Sequence, residues 1–422
     1  TGSGKTELLT AAASLPGLPS ARTSSPGLVN LHIHTNESFS VFGSPTESVW
    51  YASREGITYC GINDHYTIAG HREFGRACRI AGLRAVFSIE AIGSDEEPQR
   101  AGRRYNDPNN PGRLYLVGKG VVRDLVPGSR GHRTLQDIGT AIRARNKNIL
   151  DKLNRYAASR KVPLTLSYGQ VEELTPRGNA TERHVVQRFC AGVEELYPGM
   201  QERAEAYRRL LGEVVERDTL EDPAALQDLV RGRLVKNGRP CFVEEDSRAF
   251  TSLDSLVDLY LEYGAVPTYP LMGNPVTEEE QDLDRLLERI QEKRLYALDM
   301  IDYRTTLERA VQIARAAREH HLPLFVGTEH NTKTMRPLVG PVERAPELRD
   351  YFEQSAWFVL GHQLLAGLCG FGAVDEEGRP RIQDNRERFN FFREAGRIEL
   401  DEEQLADLRM RSPEERRRYF GI

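Results

Sequence analysis

The 422-residue chain is poor in the features that mark secreted, membrane-bound or nucleic-acid-coating proteins. Cysteine is scarce. Cys60, Cys78, Cys190, Cys241 and Cys369 are dispersed, odd in number and without a Cys-x-x-Cys pair. That argues against a disulfide framework and reads as reduced thiols in an intracellular, cytoplasmic protein. No apolar run approaches the length needed to span a bilayer, and the N-terminus lacks the sustained apolar core of a secretory signal, so no membrane partner is expected. Neither sign of charge dominates: 57 Lys and Arg against 62 Asp and Glu leave a net −5. A dedicated nucleic-acid or membrane binder would carry a basic footprint that this chain lacks. Internal repeats and low-complexity tracts are also missing. What remains is 39% hydrophobic and 28% charged, enough for one large domain with embellishments or for two domains.

Thr1-Gly2-Ser3-Gly4-Lys5-Thr6 has the ending of a phosphate-binding P-loop, without the earlier glycine and the strand that such a loop needs. The expectation is a Gly/Ser-rich terminus continuing as a flexible leader over residues 1–27.

From Leu28 onward, short apolar runs alternate with amphipathic stretches. Strands are expected at Val29–His34, Thr58–Asn63, Ala85–Glu90, Leu114–Gly118, Ala265–Tyr269, Leu295–Met300 and Leu324–Gly327. Helices are expected at Thr46–Glu55, His71–Ala81, Glu279–Glu292 and Leu307–His320. Strand-then-helix repetition implies a parallel α/β sheet, and seven strands suit a barrel or near-barrel. Two segments interrupt the pattern. Residues 95–113 are polar and turn-rich. Thr134–Phe250 is mostly helical, opening near Leu135–Ser159 with Ile138, Ile142, Ile149, Leu153 and Tyr156 at helical spacing. Within it, residues 185–250 are charge-rich and read as a lid or surface insertion. Residues 339–422 form a helical C-terminal extension, through Leu348–Cys369, the basic and aromatic Arg386–Arg397, and Glu402–Tyr419.

The chemistry concentrates at the strand ends, where parallel α/β folds place their ligands. Side chains alternate along a strand, so His32 and His34 project to one face. Later strand ends carry Asn63-Asp64-His65, Ser88-Ile89-Glu90 and Gly327-Thr328-Glu329-His330-Asn331. Buried carboxylates and imidazoles are expensive unless paired or bound to a metal, so four such strand ends on one rim imply a shared cation. Mixed nitrogen and oxygen donors suit Zn, Mn or Fe.

These residues resemble a family. Asn30-Leu31-His32-Ile33-His34-Thr35-Asn36-Glu37-Ser38 resembles the opening motif of the polymerase and histidinol phosphatase (PHP) superfamily, and Gly61-Ile62-Asn63-Asp64-His65 its second, usually Thr-Asp-His. Phe87–Glu90 is similar to the strand with its bridging glutamate, residues 179–185 to its Thr-x-x-His helix start, and Gly327–Asn331 to its late Gly-Ser-Asp-x-His motif. The match runs in order over about residues 28–335. It implies a distorted (βα)7 TIM-like barrel over residues 28–338, interrupted by insertions near 95–113 and 185–250, one to three divalent ions, and metal-dependent phosphoester hydrolysis.

On this resemblance the metal ligands are His32, His34, His65, Glu90, His184, Glu329 and Asn331. His32, His34, Glu90 and Glu329 form the complete site, and Glu90 bridges. Asp64 or His65 would orient or deprotonate the attacking water, or protonate the leaving group. The sequence departs from the pattern at Val41-Phe42-Gly43, where an aspartate or histidine is usual, at Tyr269, where the family has a metal histidine, and at Asn331. Fewer ions than the family maximum are therefore expected. Phosphate needs cationic anchors, for which Lys119, Arg177, Arg183 and Arg304 are candidates, with Tyr269 as a further substrate contact. Tyr66 is placed to stack on a substrate ring. His71 is read as a helix cap, a surface group or a contact to the site, His362 as a satisfied core histidine, and His330 as pointing away from the site.

Three functions are consistent with these features. The first is a phosphoesterase acting on a small phosphorylated substrate. The second is a nuclease or phosphodiesterase, which the basic stretches Arg100–Arg104 and Arg386–Arg397 permit. The third is a non-catalytic, metal-stabilised module, which the substitutions at Phe42, Tyr269 and Asn331 permit.

Overall fold

Seven strands curve into a near-barrel whose wall closes beside His32 and His34. The computed structural model describes residues 26–271 and 273–422, so the P-loop-like start and most of the expected leader lie outside the described residues. The strands are β1 (Leu28–Ile33), β2 (Ile57–His65), β3 (Arg84–Ser94), β4 (Arg113–Lys119), a two-residue β5 (Thr251–Ser252), β6 (Val266–Leu271), β7 (Ala297–Ile301) and β8 (Leu324–Gly327). They pair in the order β1-β2-β3-β4-β6-β7-β8, and β5 adds to the end of β3. The last wall contact is a parallel bridge between Ile33 and Glu329. There the His34 amide donates to the Glu329 carbonyl at 2.8 Å and the Glu329 amide to the His32 carbonyl at 2.9 Å. Gly327 permits this closure, since a Cβ there would lie 2.3 Å from the Cβ of His32.

All seven expected strands form. One correction concerns direction: β4 runs antiparallel to both β3 and β6, whereas strand–helix repetition implied a parallel sheet. The turn-rich 95–113 segment has room only for the short helix Glu96–Arg100, not for a full crossover, so the chain doubles back.

Local chemistry sets the helix boundaries. Ser44 caps Pro45–Arg54 by accepting from the Glu47 amide at 3.1 Å. Ser129 starts the long helix at Arg130, earlier than the apolar spacing alone indicated, and it runs to Ser159. Asp282 starts the helix expected from Glu279 at Leu283 instead. The single stretch expected over Glu402–Tyr419 is two helices, Glu402–Met410 and Pro413–Tyr419. Pro413 forces Ser412 out of helical geometry and then opens a new helix.

The barrel core is continuous with the apolar side of helix Pro346–Cys369, whose Phe352, Phe358 and Val359 are buried. The helical insertion has an apolar cluster of its own, including Leu150, Leu153, Val185, Phe189, Tyr207, Val230 and Cys241. Among the described residues no helix is long and apolar enough to cross a membrane.

Candidate metal centre

β1 delivers His32 and His34 to the barrel interior, both with no exposed surface. β3 delivers Glu90 opposite them. The Glu90 Oε2 lies 3.2 Å from His32 Nε2 and 3.3 Å from His34 Nε2, and the two imidazole nitrogens are 3.3 Å apart. Among the described residues these three groups form the one cluster compact enough to share a single ion.

The surrounding groups fix which ring nitrogens carry protons. Asp299 on β7 accepts from His32 Nδ1 at 2.8 Å, so the lone pair of a neutral ring sits on Nε2, facing Glu90. Ser38 donates its hydroxyl hydrogen to Asp64 at 2.6 Å, and its oxygen lies 3.4 Å from His34 Nδ1, which likewise leaves the His34 Nε2 lone pair pointing inward. Two lone pairs and a carboxylate within 3.3 Å of one another repel unless a cation lies between them. Burial opposes a charged His32, but Asp299 and Glu90 overcome it and raise the ring to about 9, so a proton stands in for the cation. Burial lowers His34. Burial also opposes the Glu90 charge, yet His65, His32 and His34 hold its carboxyl well below the usual range. The residues present therefore fit a divalent ion bound by two imidazoles and a carboxylate.

His65, at the end of β2, stands beside this cluster. Its ring centroid is 4.4 Å from that of His34, and its Nδ1 is 3.7 Å from Glu90 Oε2. That Nδ1 is buried without a hydrogen-bond partner. Burial pushes the imidazole down to about 4, so it is neutral at pH 7. At 18% exposure His65 is the most accessible of the four side chains. The backbone turns sharply around the site, with positive φ at Tyr66, Glu329 and His330, which carry side chains.

Other candidates lie elsewhere. The Asp64 carboxylate is fully used by the loop after β1, accepting from the Thr35 amide at 2.7 Å and hydroxyl at 2.6 Å and from Ser38. It acts on His34 through Ser38 rather than on a reacting atom, because strand alternation sends Asn63 and His65 inward and Asp64 outward. Glu329 directs its carboxylate to Arg304 at 3.3 Å, and that arginine is 44% exposed on the rim. Asn331 is half-buried.

His184 closes a capping box, its Nδ1 accepting from the Thr181 amide at 3.0 Å. A backbone amide can only donate, so the ring's own proton sits on Nε2 and the lone pair a metal would need is taken. Tyr269 is buried, with its hydroxyl on Glu280 at 3.1 Å. Lys119 is also fully buried, pairing with Asp299 at 2.8 Å inside the barrel. Arg183 pairs with Asp228 at 3.0 Å and Arg177 with Glu37. His71 donates to the Ser88 carbonyl at 2.9 Å, His330 to the Arg336 carbonyl at 2.9 Å while stacking on Phe42, and His362 to the Gly264 carbonyl at 2.8 Å.

Sequence reasoning missed Asp299 and Asn63. Asp299 was legible as a charged residue inside an apolar run, Leu298-Asp299-Met300-Ile301, where burial requires a partner.

With this geometry established, comparison with known proteins gives a structural relative and no sequence relative. No family model and no curated protein matches the chain. A protein from Bifidobacterium adolescentis, provisionally described as a metal-dependent phosphoesterase, superposes with a TM-score of 0.51 at 15% identity, over 75% of this chain and 92% of that one. The two share a fold. An amidohydrolase from Chromobacterium violaceum, solved with sulfate and no metal, aligns at a TM-score of 0.46 and 15% identity, over 76% of this chain and 97% of that one. The shared barrel is the architecture in which His32, His34 and Glu90 meet.

Proposed function

We propose that this protein is a metal-dependent hydrolase of the PHP type that cleaves a phosphoester in a small phosphorylated substrate. The observation that carries this reading is the convergence of His32 Nε2, His34 Nε2 and Glu90 Oε2, with both histidine tautomers set from behind. A divalent ion, Zn, Mn or Fe, would supply activation of water at neutral pH and neutralisation of charge on the phosphoryl oxygens.

The chain's own residues supply the rest. His65, neutral at pH 7, has an Nδ1 that lies 3.7 Å from Glu90 Oε2 without a hydrogen-bond partner, placed to accept a proton from water at the cluster and return it to the leaving oxygen. Arg304 on the rim offers a guanidinium to a substrate phosphate, in exchange for its contact with Glu329. Asp64, through Ser38, keeps His34 oriented.

A small substrate is favoured over a nucleic acid because the basic stretches are already neutralised. Arg103 pairs with Glu279 at 2.7 Å, and Arg104 with Glu278. Arg388 is buried, while Arg393 and Arg397 share Glu394, each at 2.9 Å. Five buried free cysteines accord with a reducing, cytoplasmic setting.

The test is elemental analysis of the purified protein, beside Mn- or Zn-supplemented hydrolysis of an aryl phosphomonoester and an aryl phosphodiester. Bound metal with monoesterase turnover, abolished by His34→Ala and by Glu90→Ala, is expected. Preference for the diester would move the assignment to a phosphodiesterase. Bound metal without turnover on either ester would support the non-catalytic module, and absence of metal after supplementation would end the metal reading.

A further inference from the structure

Asn63 is a further polar group at the cluster, at the position where the resembling motif has threonine. It is fully buried on β2, and its amide Nδ2 lies 2.8 Å from His32 Nε2 and 3.1 Å from Glu90 Oε2. Its Oδ1 is buried with no partner. An unsatisfied amide oxygen in a barrel interior costs about 1–3 kcal/mol, so its position calls for an explanation.

The explanation lies in the orientation of the amide. A half-turn about Cβ–Cγ exchanges two groups of nearly equal size, and the choice between them follows the hydrogen-bond network. Asp299 takes the His32 Nδ1 proton, so His32 presents a lone pair at Nε2. With an ion on that lone pair, an amide NH2 at 2.8 Å would face the cation with its positive end. Turned over, the carbonyl oxygen takes that place against both His32 Nε2 and Glu90 Oε2, where an ion between them would satisfy it, and the NH2 moves to the buried position that Oδ1 now holds.

We propose that Asn63 is itself a ligand of the ion, through its amide oxygen, completing a set of two imidazole nitrogens, one carboxylate oxygen and one amide oxygen. This rests on the metal reading given above. Carbonyl oxygen suits harder ions such as Mn more than it suits Zn, so Asn63 shifts the preference of an otherwise zinc-like site towards manganese.

The experiment measures Mn and Zn affinities of the metal-free full chain by chelator competition, for the wild type and for Asn63→Leu, Asn63→Ser and His34→Ala. Thermal unfolding of the metal-free proteins confirms that each variant is folded. His34→Ala is expected to lose both ions. Asn63→Leu and Asn63→Ser are expected to weaken Mn at least about tenfold and Zn clearly less. Equal weakening of the two ions would show that Asn63 only positions His32 and would overturn the proposal, as would unchanged affinities. A wild type that binds neither ion would overturn the metal reading and this proposal with it.

Discussion

Removing Asp299 is predicted to destabilise the barrel and to unseat the metal for two separable reasons. Its Oδ2 is shared by His32 Nδ1 and Lys119 Nζ, each at 2.8 Å, and all three side chains are fully buried. Burial works against both charges. It lowers Lys119, and it would raise Asp299 were that carboxyl not held down by Lys119 and His32. Asp299→Leu strands the ammonium of Lys119, and breaking a buried pair in this way costs about 3–5 kcal/mol. Lys119→Met is the milder change, because Asp299 keeps His32 as a partner. The double variant Lys119→Met/Asp299→Leu replaces the pair with apolar groups and should recover most of the stability lost in Asp299→Leu. It does not restore an acceptor for His32 Nδ1, so metal affinity should stay about 10- to 100-fold below wild type. Urea unfolding of the metal-free proteins measures the first effect and Mn titration the second. A double variant as unstable as Asp299→Leu would refute the buried-pair argument, and one with wild-type metal affinity would refute the orienting role of Asp299.

Other predictions follow from the same geometry. The His32 pKa is raised from 6.5 to about 9 in the metal-free fold, so its stabilisation is complete below pH 6.5 and drains away as pH rises towards 9. Denaturation midpoints at pH 6, 7.5 and 9 should show that slope without metal and lose it with saturating metal, which displaces the proton. His65 has the opposite sign. Its pKa is lowered to about 4, so stability falls as pH drops from 6.5 through 4, and acid titration of the metal-free protein should show this second loss. Gly327→Ala would drive a Cβ to 2.3 Å from that of His32, and should cost both soluble yield and bound metal, read by elemental analysis. Tyr269→Phe removes only the hydroxyl contact to Glu280, so it should cost about 1 kcal/mol in unfolding experiments and leave metal content unchanged.

The barrel was legible because strands are short apolar runs and their order is the chain's own. The seven expected runs all form, and His32, His34 and Glu90 converge because period-two alternation and strand ends are local properties. The reversal of β4 was not legible, since it depends on what a polar connection cannot build rather than on the strand itself. The placing of the candidate anchor Lys119 was not legible for a related reason. Lys119 sits near a strand end in sequence, but because β4 runs backwards that end faces the barrel interior, beside Asp299. His184 and Tyr269 were placed by motif position, yet each is claimed by a short-range partner, the Thr181 cap and Glu280, that a motif does not display. Asn63 was quoted only as part of a pattern. Its significance depends on an oxygen without a partner, which only three-dimensional packing reveals.

Because β4 descends where its neighbours climb, the chain leaves the barrel at the floor and has to regain the rim. The helix Arg130–Ser159, about 45 Å long, begins at the floor. Its foot is pinned to the underside by Glu262, which accepts from the Ser129 hydroxyl at 2.6 Å and from the Gly131 amide at 2.7 Å. The excursion rejoins the wall at the opposite end, where Thr251 pairs with Gly93 at the top of β3. Within the excursion, Asn179 donates to the carbonyls of Glu37 at 2.8 Å and His65 at 2.9 Å, so the same segment also holds the strand end that carries His65. Its two ends are separated by the height of the barrel, so it cannot be trimmed back to a short linker as a surface loop can.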